Sequence, residues 1–200
     1  MTSHKSATTA VPVHPLLAER WSPRGFDETH ELDDTALTAL LEAARWAPSA
    51  NNSQPWRLLV TRRGEAAFDA VAGLLAESNR TWAPAASALV LIAAETADAA
   101  GRARPWALYD TGQAVAAMTV QAQAEGLQVH QMGGFDAAGA RASFGLGPHL
   151  TPLVVVAVGR RTDDAVLAEH LAARERAPRT RLPLADLLLD AGDRSAAPAA

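Results

Sequence analysis

Two segments near opposite ends of the chain carry arginines at alternate positions. Arg20 and Arg24 flank Ser22 in ERWSPRGFD, and Arg179 and Arg181 flank Thr180 in APRTRLPL. In extended backbone, alternate side chains share a face. Each segment therefore presents two guanidiniums and a hydroxyl together, and the planar guanidinium fork matches phosphate oxygens. The ordinary alternatives are a solvated arm at one end and an arginine-rich tail at the other. A third basic spot, GRR at 159–161, reads as solvated or paired with acidic neighbours.

A third cluster is RWAPSANNSQPWR, residues 45–57. Between Pro48 and Pro55 it packs Ser49, Ala50, Asn51, Asn52, Ser53 and Gln54. Carboxamides carry both a donor and an acceptor, and two prolines reduce the entropy lost on ordering. A flat heterocycle with alternating carbonyl and N–H groups suits such a rim, with Trp46 and Trp56 as anchors on either side. The same composition also describes an Asx-rich turn with capping duties. In MGGFD, residues 132–136, Gly133 and Gly134 let backbone N–H groups come close to a ligand, and Asp136 can cap the next helix. A plain strand-to-helix turn needs the same residues.

Much chemistry is excluded. No G-x-G-x-x-G follows a strand, and no Walker A motif, H-E-x-x-H or G-x-S-x-G occurs. The six histidines, at 4, 14, 30, 130, 149 and 170, do not pair at metal-ligand spacing, so no metal site is expected. The absence of cysteine rules out disulfides, thiolate metal sites and a Cys nucleophile, and fits a reducing cytoplasm. Net charge is -4, without a basic field for nucleic acid. The longest apolar run is too short for a bilayer, and Lys5 is followed by no apolar segment of a signal peptide. If the protein is an enzyme, a bound cofactor carries the hard chemistry.

These groups need a scaffold. Asp33 or Asp34 caps a helix in which Leu37, Leu40, Leu41 and Ala44 share a face, ended by Pro48. A strand is expected at 57–61, a helix at 65–79 and a buried strand at 88–94. A long helix at about 106–125, small and apolar almost all round, belongs in the middle of the core and ends at Gly126. A short strand at 128–131, the best strand at 152–159, a helix at 164–174 and a last short helix in LPLADLLLD complete the chain. One domain over about 15–190 follows, with loose polar tails at 1–14 and 191–200. Mixed helices and strands place it in the α/β or α+β class.

Read in order, RWSPRGFD, LLEAARWAPSANNSQPWRLLV, LYDTGQAVAAMTVQAQAEGLQVHQMGGFD and RTRLPL resemble the FMN-dependent nitroreductase superfamily, from about Ala18 to Leu184. The ARWAPSANNSQPW block is the specific one; the rest are weaker alone but stand in the expected order. The resemblance implies an α+β fold, with a central mixed sheet packed between helices, and an intertwined homodimer with two shared FMN sites. It implies ping-pong transfer of two electrons from NADH or NADPH to small electron-poor compounds such as nitroaromatics or quinones.

The resemblance also implies residue roles. Arg20 and Ser22 match the arm reaching the phosphate and ribityl chain, and Arg24 a basic residue near flavin N1 and O2. Pro48, Ser49 and Ala50 match a loop laid along the flavin from the partner subunit, supported by Asn52 and Gln54. Asn79 matches a contact to the pyrimidine edge, Gly133 and Gly134 a turn whose N–H reaches N5, and Arg179 and Arg181 the phosphate pair. Arg24, Gly133 and Gly134 thus stand nearest the reacting ring. Two departures are visible. Trp82 stands where many members have a lysine, and Gly133 where some have a carboxylate. Other readings are a specialised member acting as dehydrogenase, dehalogenase or flavin-modifying enzyme, or a flavin-binding protein without turnover.

Overall fold

The computed structural model describes residues 5–189, apart from the side chain of Ala165. The expected tails at 1–4 and 191–200 lie outside the described residues. The architecture is α+β. Among the described residues four strands form one sheet, β1 (Trp56–Arg62), β2 (Ala88–Glu95), β3 (Gln128–Met132) and β4 (Leu150–Gly159), in the order β1-β2-β4-β3.

Around the sheet lie α1 (Pro15–Ala18), α2 (Asp34–Arg45), α3 (Ala66–Leu74), α4 (Glu77–Arg80), α5 (Ala107–Ala124), α6 (Ala137–Ser143) and α7 (Glu169–Arg176).

The central strands explain their own composition. In β2, Ala88, Val90 and Ile92 face a core shared with α2 and α5, while Leu89 and Leu91 face a second core with α3, Phe26 and Trp82. In β4, Val156 and Val158 take the first face, Val155 and Ala157 the second. Strands covered on both faces read as continuous apolar runs.

Every described pairing is antiparallel, not mixed as the sequence reading expects. The reason lies in the connections. The excursion after β1 leaves at Arg62 and returns at its partner Ala88. The excursion after β3 leaves at Met132 and rejoins beside it, with Met132 opposite Val155. Helix α5 does cross the sheet: its 18 residues span about 27 Å, matching a strand of about 26 Å. It brings β3 into the same direction as β2, but β4 sits between them.

Asp33 caps α2, its carboxylate accepting from the Ala36 N–H, and Leu37, Leu40 and Ala44 are buried as their spacing requires. Gly126, with φ +71°, follows α5. Only one side of α5 is buried, through Asp110, Ala114, Val115, Met118 and Ala122. Leu108 and Tyr109 are exposed, so the helix lies against a sheet face rather than inside the core.

The expected helix at 65–79 is broken. Leu75 leaves helical geometry to bridge Phe135, and the Ala76 N–H donates to the Gly134 carbonyl at 2.9 Å. The expected helix from 164 begins as a single tight turn, Asp164–Val166, before α7. The LPLADLLLD segment forms one tight turn, Leu184–Leu187, whose leucines face outward.

Candidate functional site

The arm at 20–25 alternates as extended backbone should. Pro23 and Gly25 are buried with half-buried Arg24 between them, while Ser22 is exposed and Arg20 is half-buried. Three bonds hold the arm's inner side. Trp21 Nε1 donates to Glu175 Oε2 at 3.2 Å, the Arg24 N–H donates to Glu175 Oε1 at 2.8 Å, and His130 Nδ1 donates to the Pro23 carbonyl at 2.8 Å. The Arg161 guanidinium lies over the Trp21 ring at 5.1 Å and pairs with Asp164, so this part of GRR is a structural cation.

The two arginine segments meet. Burial lowers the pKa of Arg20, and the charge of Arg181 lowers it further. Burial likewise lowers that of Arg179, with Arg20 and then Arg181 adding to the shift. No ion pair to any of the three is formed among the described residues. Arg179 also has a structural duty: Nη1 donates to the carbonyls of Lys5 and Ala18, each at 2.6 Å. Arg181 is exposed and, among the described residues, bonds only to the Thr180 carbonyl, at 2.7 Å. A cavity of about 690 Å³ opens between residues 7–13 and the Arg179–Leu187 segment. Beside Arg24 a cleft of about 860 Å³ runs past Arg80, Trp82 and Arg63.

Asn79 and the glycine turn also come together. Asn79 Nδ2 donates to the Gly134 carbonyl at 3.1 Å. The N–H groups of Gly133 and Gly134 donate to nothing among the described residues, which leaves two open donors at the exposed end of β3. Trp82 is core: its ring packs 6.2 Å from Phe26 and 4.4 Å from His130. The position therefore supplies no cation.

The loop at 48–54 spends part of its polarity on itself. Asn51, Asn52 and Gln54 adopt positive φ, a region that Asn tolerates better than most residues. Ser49 Oγ accepts from the Gln54 N–H at 3.1 Å, and Gln54 Nε2 donates to the Asn52 carbonyl at 3.2 Å. Asp110, only 3% exposed, takes the Ala50 N–H on Oδ2 at 3.0 Å. A pocket of about 300 Å³ lies between Pro48, Ser49, Ala50 and the α5 residues Tyr109, Asp110 and Gln113. Trp56 is buried and anchors the loop, whereas Trp46 is 76% exposed and does not. Its neighbour Arg45 caps the ring face at 5.0 Å.

One chain does not gather all these groups. The loop feeds β1, one edge of the sheet, and the glycine turn follows β3, the other edge. Three inter-strand spacings, roughly 14 Å, separate the edges. Glu175 and Asp110 escape the sequence reading. Asp110 carries a usable signal, a lone acid in the first turn of a helix with no other charged residue. Glu175, inside RER, carries none.

The donor set suits a flat ligand with a phosphate tail. Three guanidiniums lack a balancing carboxylate among the described residues, two main-chain N–H groups are open, and a carboxamide stands beside them. Among the described residues no helix is long and apolar enough to cross a membrane, and no group of His, Asp and Glu is arranged to hold a metal ion.

Comparison with known proteins agrees with this geometry. The chain matches the Nitroreductase family over residues 17–91 and 70–160. A crystal structure described as an oxidoreductase containing FMN superposes with a TM-score of 0.88 at 32% identity, covering 96% of this chain and 98% of that one. An uncharacterised 15.4 kDa protein of Mycolicibacterium smegmatis is 39% identical over 136 residues, 64% of this chain and 90% of that protein. A protein named "Putative NAD(P)H nitroreductase YdgI", of Bacillus subtilis (strain 168), is 23% identical over 193 residues, 78% of this chain and 91% of its own.

Proposed function

The chain belongs to the nitroreductase family, and from that membership we propose that it is an FMN-dependent oxidoreductase. In this reading it draws on NADH or NADPH to reduce small electron-poor compounds such as nitroaromatics or quinones. The observation that carries the proposal is the group of Arg20, Arg179 and Arg181, whose charges crowd one another without a described carboxylate between them. A phosphate is the ligand such a group suits. When bound, FMN supplies the two-electron chemistry that the side chains lack.

The protein's part is to hold and orient. Arg20, Arg179 and Arg181 would grip the phosphate, with Ser22 along the ribityl chain. Arg24 would stand at the N1–O2 edge, where a cation favours negative charge on the ring. Asn79 would meet the pyrimidine edge, and the open N–H groups of Gly133 and Gly134 would face N5. Pro48, Ser49 and Ala50 would close the site from a second copy, with Asn52 and Gln54 keeping their loop in shape.

The homodimer is part of the proposal. Its support is the separation of the two sheet edges and the apolar surface left open on one chain. Exposed apolar side chains include Trp46, Trp106, Leu108 and Tyr109, and separately Leu182, Leu184 and Leu187–Leu189, the last 98% exposed. A surface of this kind marks an interaction face.

The purified protein incubated with FMN should retain it through gel filtration as a dimer with a flavin spectrum. It should then consume NADH or NADPH when a quinone or nitroaromatic is added. Failure to bind FMN supplied in excess would overturn the reading.

A further inference from the structure

Glu175 is only 1% exposed, a position where a carboxylate is costly unless hydrogen-bonded. Replacing a buried ion by apolar packing is often neutral or stabilising, so stability alone accounts poorly for a glutamate there. Its bonds say what it does. Both oxygens are used, and both go to one short segment: Oε2 to the Trp21 indole N–H at 3.2 Å and Oε1 to the Arg24 main-chain N–H at 2.8 Å. One side chain thus staples positions 21 and 24 of the arm, leaving exposed Ser22 between the anchors.

Other groups fix the staple. His130 holds the Pro23 carbonyl, and Arg161, paired with Asp164, covers the Trp21 ring. The charges of Glu175 and Arg24 also act on each other: Glu175 opposes the lowering of the Arg24 pKa that burial and then Arg174 produce.

We propose that Glu175 is the positioning residue of the arm, setting where the Arg20 and Arg24 guanidiniums stand toward the cofactor and offsetting part of the Arg24 charge. The inference rests on the FMN reading above. Glu175 touches neither cofactor nor substrate; it acts through the arm.

The test compares wild type with Glu175→Gln and Glu175→Asp. Glutamine keeps the length and one acceptor but loses the charge; aspartate keeps the charge but loses the reach. Glu175→Gln should weaken FMN binding to the cofactor-free protein by about tenfold, and its thermal midpoint should fall as well, because the amide NH2 cannot accept from one of the two arm donors. The flavin midpoint potential should move to a more positive value, because a negative charge beside Arg24 is gone. Glu175→Asp should keep the wild-type potential but bind FMN more weakly. A glutamate that served only stability would shift the thermal midpoint and leave the potential of the folded, loaded protein unchanged.

Equal FMN affinity and equal potential in Glu175→Gln would overturn the proposal. If Glu175→Gln does not fold, Trp21→Phe removes one anchor and leaves the carboxylate; wild-type affinity in that variant would likewise overturn it. Should wild type bind no FMN, the cofactor reading fails first. Hydrogen exchange at the Arg24 amide of cofactor-free protein then still judges the staple: exchange as slow in Glu175→Ala as in wild type would show that Glu175 does not hold the arm.

Discussion

The main-chain N–H of Ala50 donates to Asp110 Oδ2 at 3.0 Å, so the loop after α2 is held from the first turn of α5. The loop needs holding. Its three positive-φ residues, Asn51, Asn52 and Gln54, each cost about 1 kcal/mol relative to relaxed backbone. Asp110→Ala leaves the Ala50 donor unpaired and should lower stability by about 1–3 kcal/mol. Urea unfolding would measure this, and hydrogen exchange should quicken at 49–54. Asp110→Asn keeps a carbonyl oxygen and should lose less.

Arg179 and Arg181 should not behave alike. Among the described residues Arg181 bonds only to the neighbouring Thr180 carbonyl. Arg181→Ala should therefore weaken FMN binding about ten- to a hundredfold while leaving thermal stability and riboflavin binding unchanged, since riboflavin lacks the phosphate. Arg179 also ties down the carbonyls of Lys5 and Ala18. Arg179→Ala should weaken FMN and also speed proteolysis near residues 5–18. Equal loss of riboflavin and FMN in Arg181→Ala would contradict the phosphate role.

The two glycines of the β3 turn differ in the room beside them. A Cβ on Gly133 meets nothing within 4 Å, whereas one on Gly134 meets Asn79 Nδ2 at 3.2 Å and Ala76 Cβ at 3.4 Å. Gly133→Ala should leave stability near wild type. Gly134→Ala pushes the Asn79 carboxamide off its bond and should cost about 1 kcal/mol of stability, with weaker FMN binding. Titration of both variants by flavin fluorescence, beside their thermal melts, decides the point.

Sequence pattern revealed what local rules control. The stripe of Leu37, Leu40 and Ala44, the Asp33 cap and the doubly covered β2 run each follow from a repeat or a short-range bond. What was hidden depends on distant partners. The break after Leu74 exists because Leu75 pairs with Phe135, far along the chain. The antiparallel sheet depends on where each excursion rejoins it. Glu175 looks like a surface charge between Arg174 and Arg176 until α7 is packed against the Trp21–Arg24 arm. Trp46 looks like an anchor because it is large and apolar, yet the single chain leaves it open.

His130 makes stability depend on pH. Its Nδ1–H is committed to the Pro23 carbonyl and its ring lies against Trp82. Burial holds its pKa below the ordinary 6.5, a lowering that the Pro23 bond opposes and the Arg24 charge assists. His30 is lowered too, again by burial first. A histidine harder to protonate when folded takes up protons preferentially in the unfolded chain. Its contribution is complete above the unfolded value and is lost as pH falls from there toward the folded one. The thermal midpoint should therefore drop between about pH 7 and 5.5, before most carboxylates titrate. His130→Asn keeps a donor for Pro23 and removes one titrating ring, so its midpoint should fall less steeply over the same range, with His30 responsible for the remainder. Parallel profiles for the two proteins would mean that the His130 ring titrates as freely in the folded protein as in the unfolded chain.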